Sequence, residues 1–209
     1  NTSAANTSFA AFTVDQSAAA PSLALAADTG TSSSDRYTNN SSINVSGLET
    51  GATWQYSIDT GKSWTAGSGS SFTVNPGSYA AGQVQVRQTD LAGNTSAANT
   101  SFAAFTLDRS APSAPSLALA VDTGYSSSDR CTSNSSINVS GLETGATWQF
   151  SINTGTSWTA GSGSSFNVNP GTYSTGQVQV RQIDLAGNTS AANTSFAAFT
   201  LDRSAPSAP

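Results

Sequence analysis

The chain has 209 residues, with seven Lys/Arg against twelve Asp/Glu, no His and a net charge of −5. Sparse, acidic charge argues against nucleic-acid binding, which needs basic stripes. Without His, and with a single cysteine, no nucleophile–base pair is available and no enzyme is expected. No run of about 18 apolar residues or signal peptide is visible.

From the N-terminus, NTSAANTSFAAFT (1–13) recurs at Asn94 and again at Asn188. An offset of 94 aligns Leu23–Pro115 with Leu117–Pro209, with 81 identities in 93 positions. The chain is therefore expected to be a window on a longer array. Residues 1–14 are the last strand of a preceding repeat, 15–22 a joint, and 23–108 the first repeat. Residues 109–116 are a second joint, 117–202 the second repeat, and 203–209 a trailing joint. A strand detached from its sheet is unstable in water, so Thr2–Thr13 is expected to lie against another copy or another part of the assembly. Cys131 stands where the first repeat has Tyr37, so no disulfide can form within a repeat.

Within the first repeat, SLALA (22–26) and SINVSGL (42–48) are predicted strands. ATWQYSI (52–58) alternates so that Trp54, Tyr56 and Ile58 share one face. The turn DTGK follows, then SWTAG and GSSFTV (69–74) as middle strands. GQVQVRQTD (82–90) places Val84 and Val86 inward with Gln and Arg outward, and TSFAAFTL (100–107) is the last strand. About seven short strands with regularly spaced turns predict an all-β fold, a string of β-sandwich domains of about 94 residues joined by Pro/Ala/Ser joints. Trp54 and Trp148 are expected in the cores.

Eleven of the twelve acids occupy positions that recur with the repeat: Asp15, Asp28, Asp35, Glu49, Asp90, Asp108, Asp122, Asp129, Glu143, Asp184 and Asp202. Only Asp59 is replaced, by Asn153. The predicted topology sends the loop with Asp28 and Asp35, and the strand end at Asp108, to the bottom of one repeat. Glu143 and the loop DLAGN (184–188) lie at the top of the next. Clustered carboxylates repel unless a cation compensates them. A set of hard oxygens without His or Cys suits Ca²⁺. Asp108, Glu143, Asp184, Asn188 and backbone carbonyls supply candidate ligands at the second joint. The competing reading of any single Asp is a turn residue. The tryptophans offer a second alternative, stacking on sugar rings.

LETGATWQYSIDTGKSWTAGSGSSFTV, then GQVQVRQTDLAGN and a Val/Leu-Asp joint, resembles the tandem bacterial Ig-like repeats of giant repeats-in-toxin adhesins and biofilm-associated surface proteins. The resemblance covers both repeats and the leading strand. It implies an extracellular extender on a bacterial surface, with calcium at the joints stiffening a stalk for adhesion and biofilm formation. The implied ligands are Asp15, Asp108 and Asp202 on the joints, Asp90, Asn94, Asp184 and Asn188 in the 90–94 and 184–188 loops, and Asp28, Asp35, Asp122 and Asp129 below. Glu49 and Glu143 match as well. Implied partners are neighbouring repeats of the same chain and, through the leading strand, other copies. The alternative function is a carbohydrate- or protein-binding module that uses its loops or Trp64 and Trp158.

Overall fold

The structure is a computed structural model and describes every residue except Asn1, Asn6, Thr7, Phe9, Ser207 and Pro209. The first repeat contributes β1 (Ser22–Leu25), β2 (Tyr37–Thr38), β3 (Ser42–Ser46), β4 (Thr53–Ser57) and β5 (Thr65–Ala66). β6 (Ser71–Thr73), β7 (Gly77–Tyr79), β8 (Gln85–Thr89) and β9 (Phe105–Leu107) complete it. The second repeats the order: β10 (Ser116–Leu119), β11 (Cys131–Thr132), β12 (Ser136–Ser140), β13 (Thr147–Ser151), β14 (Thr159–Ala160), β15 (Ser165–Asn167), β16 (Gly171–Tyr173), β17 (Gln179–Ile183) and β18 (Phe199–Leu201). The described residues contain no helix, so none is long and apolar enough to cross a membrane.

Two compact units divide the chain. One gathers residues up to Ala26, Ser42–Val74 and Ser78–Phe105; the other gathers Ala27–Ser41, Asn75–Gly77 and Thr106 onward. The lower end of the first repeat thus belongs to the same unit as the second repeat.

In the first unit β1–β3–β6 form one sheet and β5–β4–β8 another. Leu23 faces Val45, and Ile43 faces both Leu25 and Phe72 across antiparallel ladders. The opposing sheet pairs Trp54 with Gln88 and Tyr56 with Val86. Tyr56 stacks on Phe72 with ring centroids 4.1 Å apart, which brings side chains of the two sheets into contact. Trp54, Val84 and Val86 are buried as their alternation predicts.

The second unit repeats these sheets as β10–β12–β15 and β14–β13–β17, and adds β11–β18–β16. Its core holds Ile137, Val139, Trp148, Phe166, Val178, Val180, Phe196 and Leu201, with Leu117, Leu119 and Phe150 packed against it. Within the same unit β2 runs parallel to β9, Tyr37 opposite Thr106 and Thr38 opposite Leu107. That pairing carries the chain out at Asp108, whose N–H donates to the Thr38 carbonyl at 2.9 Å.

Three expectations change. Ile58 and Ile152 are exposed, while Ser57 and Ser151 are buried. The strand ends at that serine, whose hydroxyl turns inward to accept the Gly61 N–H at 2.9 Å, or Gly155 N–H in the second repeat. The glutamines of β8 do not all face out: Gln85 and Gln88 are buried. The leading strand is absent among the described residues between Thr2 and Thr13, all of them exposed. Asn1, Asn6, Thr7 and Phe9 of that prediction lie outside the described residues.

The turn after β4 shows the one acid that varies between repeats. Asp59 accepts from the Ser63 hydroxyl at 2.5 Å, the Ser63 N–H at 3.0 Å and the Ser57 hydroxyl at 2.7 Å. These bonds, those from the Ser63 side chain most, hold its carboxyl well below the ordinary 3.8. A carboxyl depressed in the native state favours folding above its unfolded pKa, and that contribution is lost as pH falls through the native value. Asn153 makes the corresponding bonds without a charge. The turn at Asp59 should therefore loosen below about pH 4 while the turn at Asn153 does not. Amide exchange at Ser63 and Ser157 along an acid titration checks this; equal acid sensitivity at both would refute it.

Candidate metal site at the joints

In the first unit the chain enters along Asp15–Pro21, and three amide side chains hold its carbonyls. Asn94 Nδ2 donates to the Asp15 carbonyl at 3.1 Å, Gln88 Nε2 to that of Ala19 at 2.7 Å, and Asn99 Nδ2 to that of Pro21 at 2.7 Å. This brings the joint to the top of the sandwich, beside the 90–94 loop. Asp15, Glu49 and Asp90 then converge, each with one carboxylate oxygen within 4.8 Å of the others. Among the described residues no other three acidic side chains come so close.

Asp90 Oδ1 accepts the Asn94 N–H at 2.8 Å and Oδ2 the Asn94 Nδ2 at 2.7 Å. The Asn94 side chain, above all, keeps the Asp90 carboxyl below its ordinary pKa. Glu49 Oε1 accepts the Ala19 N–H at 2.9 Å and Asp15 Oδ1 the Ser17 N–H at 3.2 Å. Each carboxylate oxygen retains a second lone pair. Three carboxylates and no nitrogen or sulfur donor match the ligand chemistry of a hard cation such as Ca²⁺.

In the second unit Asp108, Glu143 and Asp184 line one small cleft of about 120 Å³ with Tyr37, Thr106, Thr144, Leu185 and Ala186. Asn188 repeats the bonds of Asn94, to Asp184 Oδ1 and Oδ2 at 2.8 Å each and to the Asp108 carbonyl at 3.0 Å. These acids stand further apart than the first trio. The lower end of the first repeat closes over this cleft. Thr29 Oγ1 donates to the Ala186 carbonyl at 2.5 Å. Gly30, at φ 96°, lies so close to the Leu185 carbonyl that a Cβ there would overlap it. Ala186 is 2% exposed as a result, whereas its counterpart Ala92 is exposed.

The remaining predicted ligands stay in their own loops. Asp28 Oδ2 accepts the Arg36 N–H at 3.0 Å and Asp122 Oδ2 that of Arg130 at 2.9 Å. Both arginines sit at positive φ, 63° and 61°, so these carboxylates cap a strained turn. Asp35 and Asp129 accept the N–H two residues on, from Tyr37 and Cys131. Asp202 does the same with Ser204, whose N–H, first among its partners, lowers its pKa. None of the five joins the Asp15–Glu49–Asp90 group.

Trp54 and Trp148 are buried. Trp64 and Trp158 are half-buried, each with an arginine guanidinium 4.1 Å above the ring, Arg87 and Arg181.

Gln88 and Gln182 were missed by the sequence reading, although both sit on the parity of the preceding valines. Asn99 and Asn193, which grip the joint prolines, carried no local signal.

With this geometry in place, the comparison is decisive for the fold. Residues 13–109 match the bacterial Ig-like domain family. The first repeat is thus similar to a bacterial Ig-like domain, and the second copies the first at 81 of 93 positions. Among curated proteins the chain has no match. Bacterial Ig-like domains are generally non-catalytic and typical of extracellular surface proteins. The all-β sandwich of both repeats agrees with that family.

Proposed function

We propose that this chain is an extender segment of a bacterial cell-surface adhesin, with Ig-like repeats joined end to end and calcium bound at the joints. The observation that carries the reading is the acid-lined cleft of Asp108, Glu143 and Asp184, closed by Tyr37 and Thr106 from the lower end of the first repeat. Chemistry that belongs to a joint, shared by the end of one repeat and the top of the next, is what an extender needs. A module specialised for a ligand would present it on a free face. Asp15, Glu49 and Asp90, and their counterparts Asp108, Glu143 and Asp184, would hold the ion, with Asn94 and Asn188 fixing the middle acid. The ion would offset the mutual repulsion of three carboxylates and tie the joint to the loops of the following repeat.

Extracellular modules bind Ca²⁺ at about 10⁻⁴–10⁻³ M, so external calcium fills such sites and cytosolic calcium leaves them empty. The array would leave the cell more flexible and stiffen outside, holding a distal adhesive region away from the surface. Small-angle scattering with and without chelator tests this. Chelation should shorten the maximum dimension or broaden its distribution, and Asp108→Ala should reproduce the change with calcium present. Identical scattering in both conditions would reduce the chain to a plain spacer.

A further inference from the structure

We infer that Gln182, and Gln88 in the first repeat, are positioning residues that seat each joint on the repeat that follows it without any metal ion. Gln182 is 0% exposed, an unusual place for a carboxamide, and its hydrogen-bonding groups are engaged. Nε2 donates to the Ser113 carbonyl at 2.7 Å and to the Gly141 carbonyl at 3.1 Å. Oε1 accepts the Glu143 N–H at 2.8 Å, and the Gln182 N–H donates to Ser190 Oγ at 3.0 Å. Gln88 repeats all four, to Ala19, Gly47, Glu49 and Ser96. One side chain thus ties the joint, the loop before β4 or β13, and the Glu of the candidate metal site into a single neutral network.

The register of this grip is the same in both joints, while the bond at the joint Asp shifts by one residue. Gln88 and Gln182 each bind the carbonyl 69 residues upstream, and Asn99 and Asn193 each bind a proline carbonyl 78 residues upstream. The bond from Asn94 to Asp15 spans 79 residues, whereas that from Asn188 to Asp108 spans 80. The one-residue difference between the joints is therefore absorbed between the Asp and the carbonyl held by Gln. The side chain there is Ala19 in one joint and Ser113 in the other, because only the backbone is read. A buried amide whose partners are removed leaves orphaned groups behind, so the network forms or fails together. It uses no charged atom, and it holds whether or not the acids bind calcium.

Two arginines in matched sequence make the test internal to the chain. Arg109–Ser110 lies in the joint held by Gln182, and Arg203–Ser204 lies in the same LDRSAP sequence, which no buried glutamine grips among the described residues. Limited trypsin digestion of the whole chain in excess chelator should cut after Arg109 about tenfold more slowly than after Arg203, since cleavage needs local opening. Gln182→Met keeps the volume and removes the side-chain bonds, and should erase that difference while tryptophan fluorescence and near-UV circular dichroism stay native. If Gln182→Met unfolds the second repeat, Asn193→Ala is the second variant. It removes the Pro115 grip, with two local bonds from Ser195, at a half-buried site and should speed Arg109 cleavage several-fold. Equal cleavage at Arg109 and Arg203 in metal-free wild type would overturn the inference, as would an unchanged ratio in whichever variant remains folded. Protection that appears only with calcium would sink the inference and leave the calcium proposal standing. Protection in chelator, unaltered by added calcium, would do the reverse.

Discussion

Trp54→Ala is expected to destabilise the first repeat by about 3–5 kcal/mol, the usual penalty for removing a large buried aromatic side chain. Trp54 is 5% exposed and packs its indole 6.0 Å from the Phe72 ring on the opposing sheet. Its Nε1 donates to the Gly69 carbonyl at 3.1 Å, so truncation also orphans a polar group. The site has little room to collapse. Gly67 lies so close to the ring that a Cβ there would overlap it, and the Gly67 N–H is fixed to the Trp54 carbonyl at 2.9 Å. A short strand edge held that way cannot move in to fill the cavity. Trp148→Ala should match it, since Trp148 bonds Gly163 at 3.0 Å and meets Gly161 in the same manner. Urea denaturation of each variant reads the effect. A loss below about 1.5 kcal/mol, the range of a tolerated core swap, would contradict the packing described.

Calcium should give the second-largest effect. For an affinity of about 10⁻⁴ M, 10 mM Ca²⁺ is a hundredfold excess and stabilises the native state by about 2.7 kcal/mol through mass action. In a domain this size that raises the melting temperature by on the order of 10 °C. The first repeat should respond most, because Asp15, Glu49 and Asp90 already converge in the arrangement described. Asp90→Ala should abolish the shift. Asp35→Asn, at a carboxylate that accepts the Tyr37 N–H in its own loop, should leave it intact. Differential scanning calorimetry with calcium, magnesium and chelator separates a specific ion from general screening. Equal melting temperatures in all three would remove calcium from the account.

Much of this molecule was legible in its sequence because the determining forces are local. Alternation put Trp54, Val84 and Val86 inward, since strand side chains change face at every residue. The 94-residue offset exposed the repeat, and the recurring acids pointed to the joints, two of whose sets do converge or share a cleft. The same alternation placed Gln88 on the face of Val84 and Val86, yet polarity argued for the outside. Tertiary structure decided that contest. Burying an amide costs free energy unless every donor and acceptor is met, and the partners of Gln88 come from Ala19, Gly47 and Glu49, 69, 41 and 39 residues away. No local window contains them. Ser57 and Ile58 were decided likewise, by a hydroxyl that closes the turn onto Gly61. Asp28 and Asp122 likewise each accept the N–H of an arginine eight residues on, at a positive φ that only the folded loop imposes.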